Sequence, residues 1–179
     1  MAATVKIWDP FVRVFHWSLV ASFAVAWLSA EDWRGLHEWA GYAAGALIAL
    51  RILWGIVGTR YARFRQFVRS PAAVAAYIRD IATGREARYL GHNPAGGLMI
   101  VALIATMASV GITGWMMTTD AYWGIGWVEH VHEALASAML ALVGIHVLGV
   151  VVASLRHREN LVAAMVSGRK RSAGAADVA

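Results

Sequence analysis

Cysteine is absent from the 179 residues. Disulfides, thiolate-bound metals, iron–sulfur clusters and covalently attached haem are therefore all excluded. Charge is scarce as well. Asp, Glu, Lys and Arg make up 15% of the chain, against about 25% in an ordinary soluble domain. What fills the sequence instead is apolar: 59% hydrophobic residues, nine tryptophans and a mean hydropathy of +0.55. The net charge of +5 does not mark a nucleic-acid surface. The basic residues sit between long apolar runs and not along one soluble face. No soluble domain and no internal repeat stand out.

The apolar residues fall into four runs, at about 11–29, 36–57, 97–117 and 128–155. At 1.5 Å per residue a run of about 20 or more crosses a hydrocarbon core of roughly 30 Å. The chain is therefore expected to be all-α, an integral membrane four-helix bundle forming one domain over 1–166. Asp9, His16 and the Leu28 that would precede a cleavage site argue against a removed signal peptide in the first run. Between the second and third runs lies an arginine-rich segment, 58–96, in which Ser70-Pro71 opens an amphipathic helix to about Ala82. The basic tail 167–179 is expected to be disordered. Of the 16 lysines and arginines, all but Arg34 flank the runs on one side. This places both termini and the amphipathic segment in the cytoplasm, and the chain in the inner membrane of a bacterium. The tryptophans near the run ends, Trp8 among them, read as an aromatic belt.

The seven histidines can be ordered by depth. His132 and His146 are 14 residues apart on the fourth run, about 3.9 turns, so they share a helix face roughly 21 Å apart. His37 opens the second run at the outer level of His132. His16 lies about five residues into the first, at the inner level of His146, with an offset of perhaps 5 Å that a tilt of about 20° absorbs. Imidazoles buried in a membrane need partners. Two pairs at two levels match two bis-histidine haem sites, with iron bound axially and the macrocycle in an apolar slot. Arg13 and Arg51 stand near the inner level, where bidentate bonds to haem propionates and simple topology marking are both open readings. Gly41 and Gly45 make room either for a close helix or for a macrocycle beside His37. His130 points away from His132 and reads as interfacial. His157 lies outside the apolar run in a solvated position. His92, beside Asn93-Pro94, reads first as a helix-start signal, with contact to a propionate or a quinone as the functional alternative.

These residues also carry a resemblance. Trp8-Asp9-Pro10, Arg13, His16-Trp17, His37 with Gly41-Tyr42, Gly91-His92-Asn93-Pro94, and His132-Glu133 followed by His146 resemble the bacterial cytochrome b561 and NiFe-hydrogenase b-type cytochrome family. The resemblance spans nearly the whole chain. It implies two non-covalent b haems with His16, His37, His132 and His146 as axial ligands, and electron transfer across the membrane as a respiratory carrier or oxidoreductase subunit. Quinone would be the substrate on one side. The redox partner on the outer face would be a c-type cytochrome, a hydrogenase or another dehydrogenase. Within the same fold, superoxide or another small oxidant is an alternative donor. A redox-silent transporter or assembly subunit, with histidines relaying protons or binding zinc, is the rival from another class.

Overall fold

The first long helix starts where the chemistry of Asp9-Pro10 dictates. Asp9 Oδ1 accepts from the Val12 N–H at 2.9 Å, satisfying one of the free donors of a helix start, and proline at the first helical position has no N–H to lose. A computed structural model of the chain describes residues 3–179. Its long helices are α1 (Pro10–Ser29), α2 (Arg34–Val57), α5 (Pro94–Met117) and α6 (Gly126–Arg156), each long and apolar enough to cross a membrane. They cover the four expected spans. The protein is thus all-α in its membrane part, as its apolar runs require.

The remaining elements are β1 (Thr4–Lys6), a 3₁₀ turn (Arg60–Ala62), α3 (Phe64–Phe67), α4 (Pro71–Thr83), α7 (Leu161–Ser167) and β2 (Arg169–Arg171). The α4 helix begins as its sequence demands, with the Ser70 hydroxyl accepting from the Ala73 N–H and proline next to it. It buries Val74 and Tyr77 while leaving Ile78 exposed. Burial, with Glu86 adding to it, pushes the Tyr77 phenol up to about 12.

The chain divides into two compact units. One comprises 14–53 and 102–143. It holds the parts of the four long helices nearer the α1–α2 and α5–α6 connections. The Cα of Gly45 on α2 lies 4.0 Å from where a Cβ on Gly111 of α5 would stand. Across the same pair, Tyr42 and Thr118 share a hydrogen bond of 3.0 Å.

The other unit comprises the chain up to Arg13, 54–101 and 144–179. Here the expectation of a disordered tail is overturned. β2 pairs antiparallel with β1, Lys170 opposite Val5, and Leu90 and Val178 share a backbone bond of 2.9 Å. The physical reason is a buried ion network. Arg88 binds Glu159 (2.7 Å) and Asp177 at once, and Lys170 lies 3.3 Å from Glu159. Arg88 also donates to the Arg171 carbonyl, and Lys170 to that of Tyr89. Burial alone would raise the Glu159 carboxyl; the Arg88 hydrogen bond and the Lys170 charge outweigh it and hold the group below the usual range. Charges that would keep a free tail solvated are instead paired. Gly168 turns the chain into β2 with φ +79°, and a side chain there would collide with the Trp8 carbonyl.

The apolar core of this unit is Ile7, Trp8, Val12, Ala62 and Leu90, with Trp54, Tyr61 and Met165 packed against it. Trp8 is therefore a core residue, 6% exposed, and not part of an aromatic belt. Its ring faces that of His92 at 4.6 Å.

Candidate functional site

His37 lies in the first turn of α2 and His132 in the second turn of α6, and the fold brings them together. Their ring centroids are 6.1 Å apart with planes at 77°. Each ring is tethered through Nδ1. His37 Nδ1 is 2.8 Å from the Ala26 carbonyl on α1. His132 Nδ1 is 3.1 Å from the Val110 carbonyl and 3.0 Å from the Thr113 hydroxyl, both on α5. A carbonyl oxygen only accepts, so Nδ1 carries the proton in each ring and donates. Both Nε2 atoms therefore keep their lone pairs. This tether is the usual way a protein fixes the tautomer and orientation of a metal-binding histidine. The Thr113 hydroxyl proton is itself engaged by backbone carbonyls of α5, at 2.9 Å to Ser109 and 3.0 Å to Val110, leaving its oxygen to accept from His132.

The spacing has a chemical meaning. Two imidazoles holding one metal ion from opposite sides, each nitrogen about 2 Å from it, keep their ring centres roughly 6 Å apart. The donor set suits that geometry. Among the described residues no three or more His, Cys, Asp or Glu side chains gather where they could hold a metal ion. A tetrahedral zinc centre would want four ligands or three plus water. A flat macrocycle also needs room. A methyl group added at Gly41 or Gly45, one and two turns along α2 from His37, would meet no atom within 4 Å. On α5 the small residue at 114 is required for the opposite reason: a Cβ there would stand 3.0 Å from Cε1 of His132. The residues fit a bis-histidine haem site.

His16 and His146 fall in different units and are described separately. His16 is half-buried on α1, with the Trp17 ring edge-on at 5.0 Å. His146 is half-buried on α6, between His132 and the helix end at Arg156. Arg51 is 3% exposed in the last third of α2, a cost that a guanidinium in a membrane-length helix bears only with anionic or carbonyl partners. Arg13 is half-buried and donates to the Val166 carbonyl on α7.

The other histidines lie apart from the His37–His132 pair. His130 is exposed, 4.0 Å from Glu133. His157 stands just beyond α6 and is half-exposed. His92 is sandwiched by Trp8 and Phe67, at 4.6 and 4.8 Å, and its neighbour Asn93 caps α5 by accepting from the Gly96 N–H at 2.7 Å. The helix-start reading of this stretch is thus the structural one.

Sequence reasoning missed Thr113, Gly114 and the carbonyls of Ala26 and Val110. Nothing in an apolar run marks one carbonyl or one threonine as a tether, since the partner lies on another helix.

Comparison with known proteins points the same way. The family model described as "Prokaryotic cytochrome b561" matches residues 7–168. The chain is 23% identical to a Rhodobacter capsulatus protein named "Probable Ni/Fe-hydrogenase B-type cytochrome subunit", over 93% of this chain and 81% of that one. No solved structure matches the chain significantly.

Proposed function

Because the chain belongs to the prokaryotic cytochrome b561 family, and is thereby a bacterial membrane protein that moves electrons through haem b, we propose that it is a two-haem conduit between the quinone pool and a redox protein on the opposite face. The observation that carries this reading is the His37–His132 pair, its ring centroids 6.1 Å apart and each ring tethered through Nδ1 so that Nε2 keeps its lone pair.

Bound haem supplies a one-electron iron couple whose potential follows its ligands and their surroundings. The chain's own residues do the rest. His37 and His132 would hold the outer iron through Nε2, with Ala26, Val110 and Thr113 fixing their rings. His16 and His146, at their shared depth in the sequence, would hold the inner one. Arg13 and Arg51 would offer guanidinium groups to the inner propionates, where planar bidentate bonding favours arginine over lysine. The apolar helices exclude water and keep the local dielectric low. The distribution of lysine and arginine supports cytoplasmic termini in an inner membrane, which puts the His37–His132 pair on the outer side.

A membrane-embedded carrier is reached laterally by lipid-soluble quinones, and the relative's name makes a hydrogenase one candidate for the outer partner. The test is reconstitution in vesicles with a quinol in the bilayer and a membrane-impermeant oxidant on one side. Quinol-dependent haem reduction followed by reoxidation from the face of the α1–α2 and α5–α6 connections is expected. Haem that quinol cannot reduce would overturn the quinone assignment.

A further inference from the structure

The chain's 11 acidic residues live in two different settings. Of the five in the unit that carries the termini, Glu86, Glu159 and Asp177 sit in ion pairs, Asp9 takes hydrogen bonds from Val12, Trp54 and Thr59, and Asp80 on α4 makes no ion pair among the described residues. The other unit holds Glu31, Asp32, Glu38, Asp120, Glu129 and Glu133, all in or beside the α1–α2 and α5–α6 connections. Among the described residues only Glu38 of these meets an arginine or lysine, Arg34 at 2.8 Å. Glu31, Asp32, Asp120 and Glu129 are exposed and make no ion pair among the described residues.

The two connections form one surface. The Arg34 guanidinium lies 4.4 Å over the Trp123 ring, joining the first connection to the second. Arg34 is also the one arginine or lysine on this surface, so six carboxylates face a single cation. Between them stand exposed tryptophans: Trp33 is 66% exposed, Trp123 59% and Trp127 56%. Exposed aromatics inside a charged rim are the make-up of a protein-docking surface. The His37–His132 pair lies directly behind it, since Glu129 and Glu133 flank His132 within one turn of the same helix.

We infer that this face docks a basic redox protein, one whose lysines and arginines surround its own electron-exchange edge. The inference rests on the electron-transfer reading and adds to it the charge of the partner. Each encounter would pass one electron between the partner's redox centre and the haem that His37 and His132 would hold, one centre being oxidised as the other is reduced, with no bond made or broken. Unpaired rim charge suits such an encounter, because it speeds association and orients the partner without making the complex long-lived.

The probe is a lysine-rich soluble c-type cytochrome, compared with the same protein after succinylation has reversed its lysine charge. Binding to the full chain in nanodiscs of neutral phosphatidylcholine is measured between about 10 and about 200 mM salt, a range over which screening shortens from tens of ångströms to under ten. The basic form is expected to bind at low salt and to weaken at least about tenfold at high salt, while the succinylated form does not bind. The combined variant Glu31→Gln, Asp32→Asn, Asp120→Asn, Glu129→Gln is expected to lose about tenfold in affinity at low salt with wild-type haem content. Equal binding of both forms, or unchanged binding by the variant, would overturn the proposal. Because binding is read without using this chain's haem, a chain that docks the probe but carries no haem would sink the proposed function and leave the docking surface standing.

Discussion

The His37 and His132 imidazoles face each other across α2 and α6 with their ring centroids 6.1 Å apart, each ring held by an Nδ1–H bond to a carbonyl of a third or fourth helix. All four helices of that unit thus converge on one pair of side chains. The arrangement fixes what each ring can offer, a lone pair on Nε2, before any ligand arrives.

Thr113 tunes one ring of that pair. Its oxygen accepts from His132 Nδ1 at 3.0 Å, drawing the proton outward and making the ring a better electron donor. Thr113→Val removes this acceptor while preserving shape and leaves the Val110 carbonyl in place. A hydrogen bond worth about 1 kcal/mol corresponds to roughly 40 mV for one electron. Redox titration should show one haem shifted upward by tens of millivolts with haem content intact. Unchanged potentials would mean that Thr113 does not act on a ligand.

Gly114 keeps α5 clear of the His132 ring. With a Cβ there 3.0 Å from the ring, Gly114→Ala should be tolerated through a small shift of the imidazole, whereas Gly114→Val should push it out of line. The haem-to-protein ratio should fall in the valine variant and stay near wild type in the alanine one. Equal haem content in both would show that the ring has room to move.

Arg88 clamps the C-terminal tail. Its side chain is almost wholly buried and serves Glu159, Asp177 and the Arg171 carbonyl together. Removing one partner of a buried network strands the other charges, at a cost of about 3–5 kcal/mol. In Arg88→Ala, limited proteolysis should cut within 169–179 while haem absorbance persists. A tail that stays protected would locate its anchor elsewhere.

Acid should release the same clamp. The Gly174 N–H, together with the Arg88 hydrogen bond and charge, outweighs burial and holds the Asp177 carboxyl below the usual range. Glu159 is depressed in the same sense. A carboxyl whose folded pKa lies below its unfolded one contributes its full stabilisation above the unfolded value, about 4. It loses that contribution as pH falls through the depressed folded value. Tail protection against a protease active in acid should be flat from pH 7 to about 5 and decline below about 4. Protection that declines between pH 7 and 5 would point to a histidine instead.

The four helices were legible because a run of some 20 apolar residues has one common use, and the Ser70-Pro71 and Asn93-Pro94 starts because capping is local. His37 and His132 were legible because depth along a helix follows from counting residues. The ordered tail was not. Arg169-Lys170-Arg171 looks like a solvated charge run, and nothing local shows that the Glu159 which pairs with Lys170 is also held by Arg88, far back along the chain. Trp8 misled for a related reason, since a tryptophan at a span end serves a belt or a core equally well until the β1–β2 pair is seen to fold over it. Thr113 and the Ala26 carbonyl carry no signal of their own.

The central claim is that four histidines hold two haems, and a pyridine haemochrome count with reduced-minus-oxidised spectra tests it most directly. The account predicts two b-type haems per chain. His37→Ala and His132→Ala should each remove the same one, and His16→Ala and His146→Ala the other, each variant retaining at most one. No b-type absorbance after expression with ample haem, a single haem in the wild type, or wild-type content in any of these variants would contradict it.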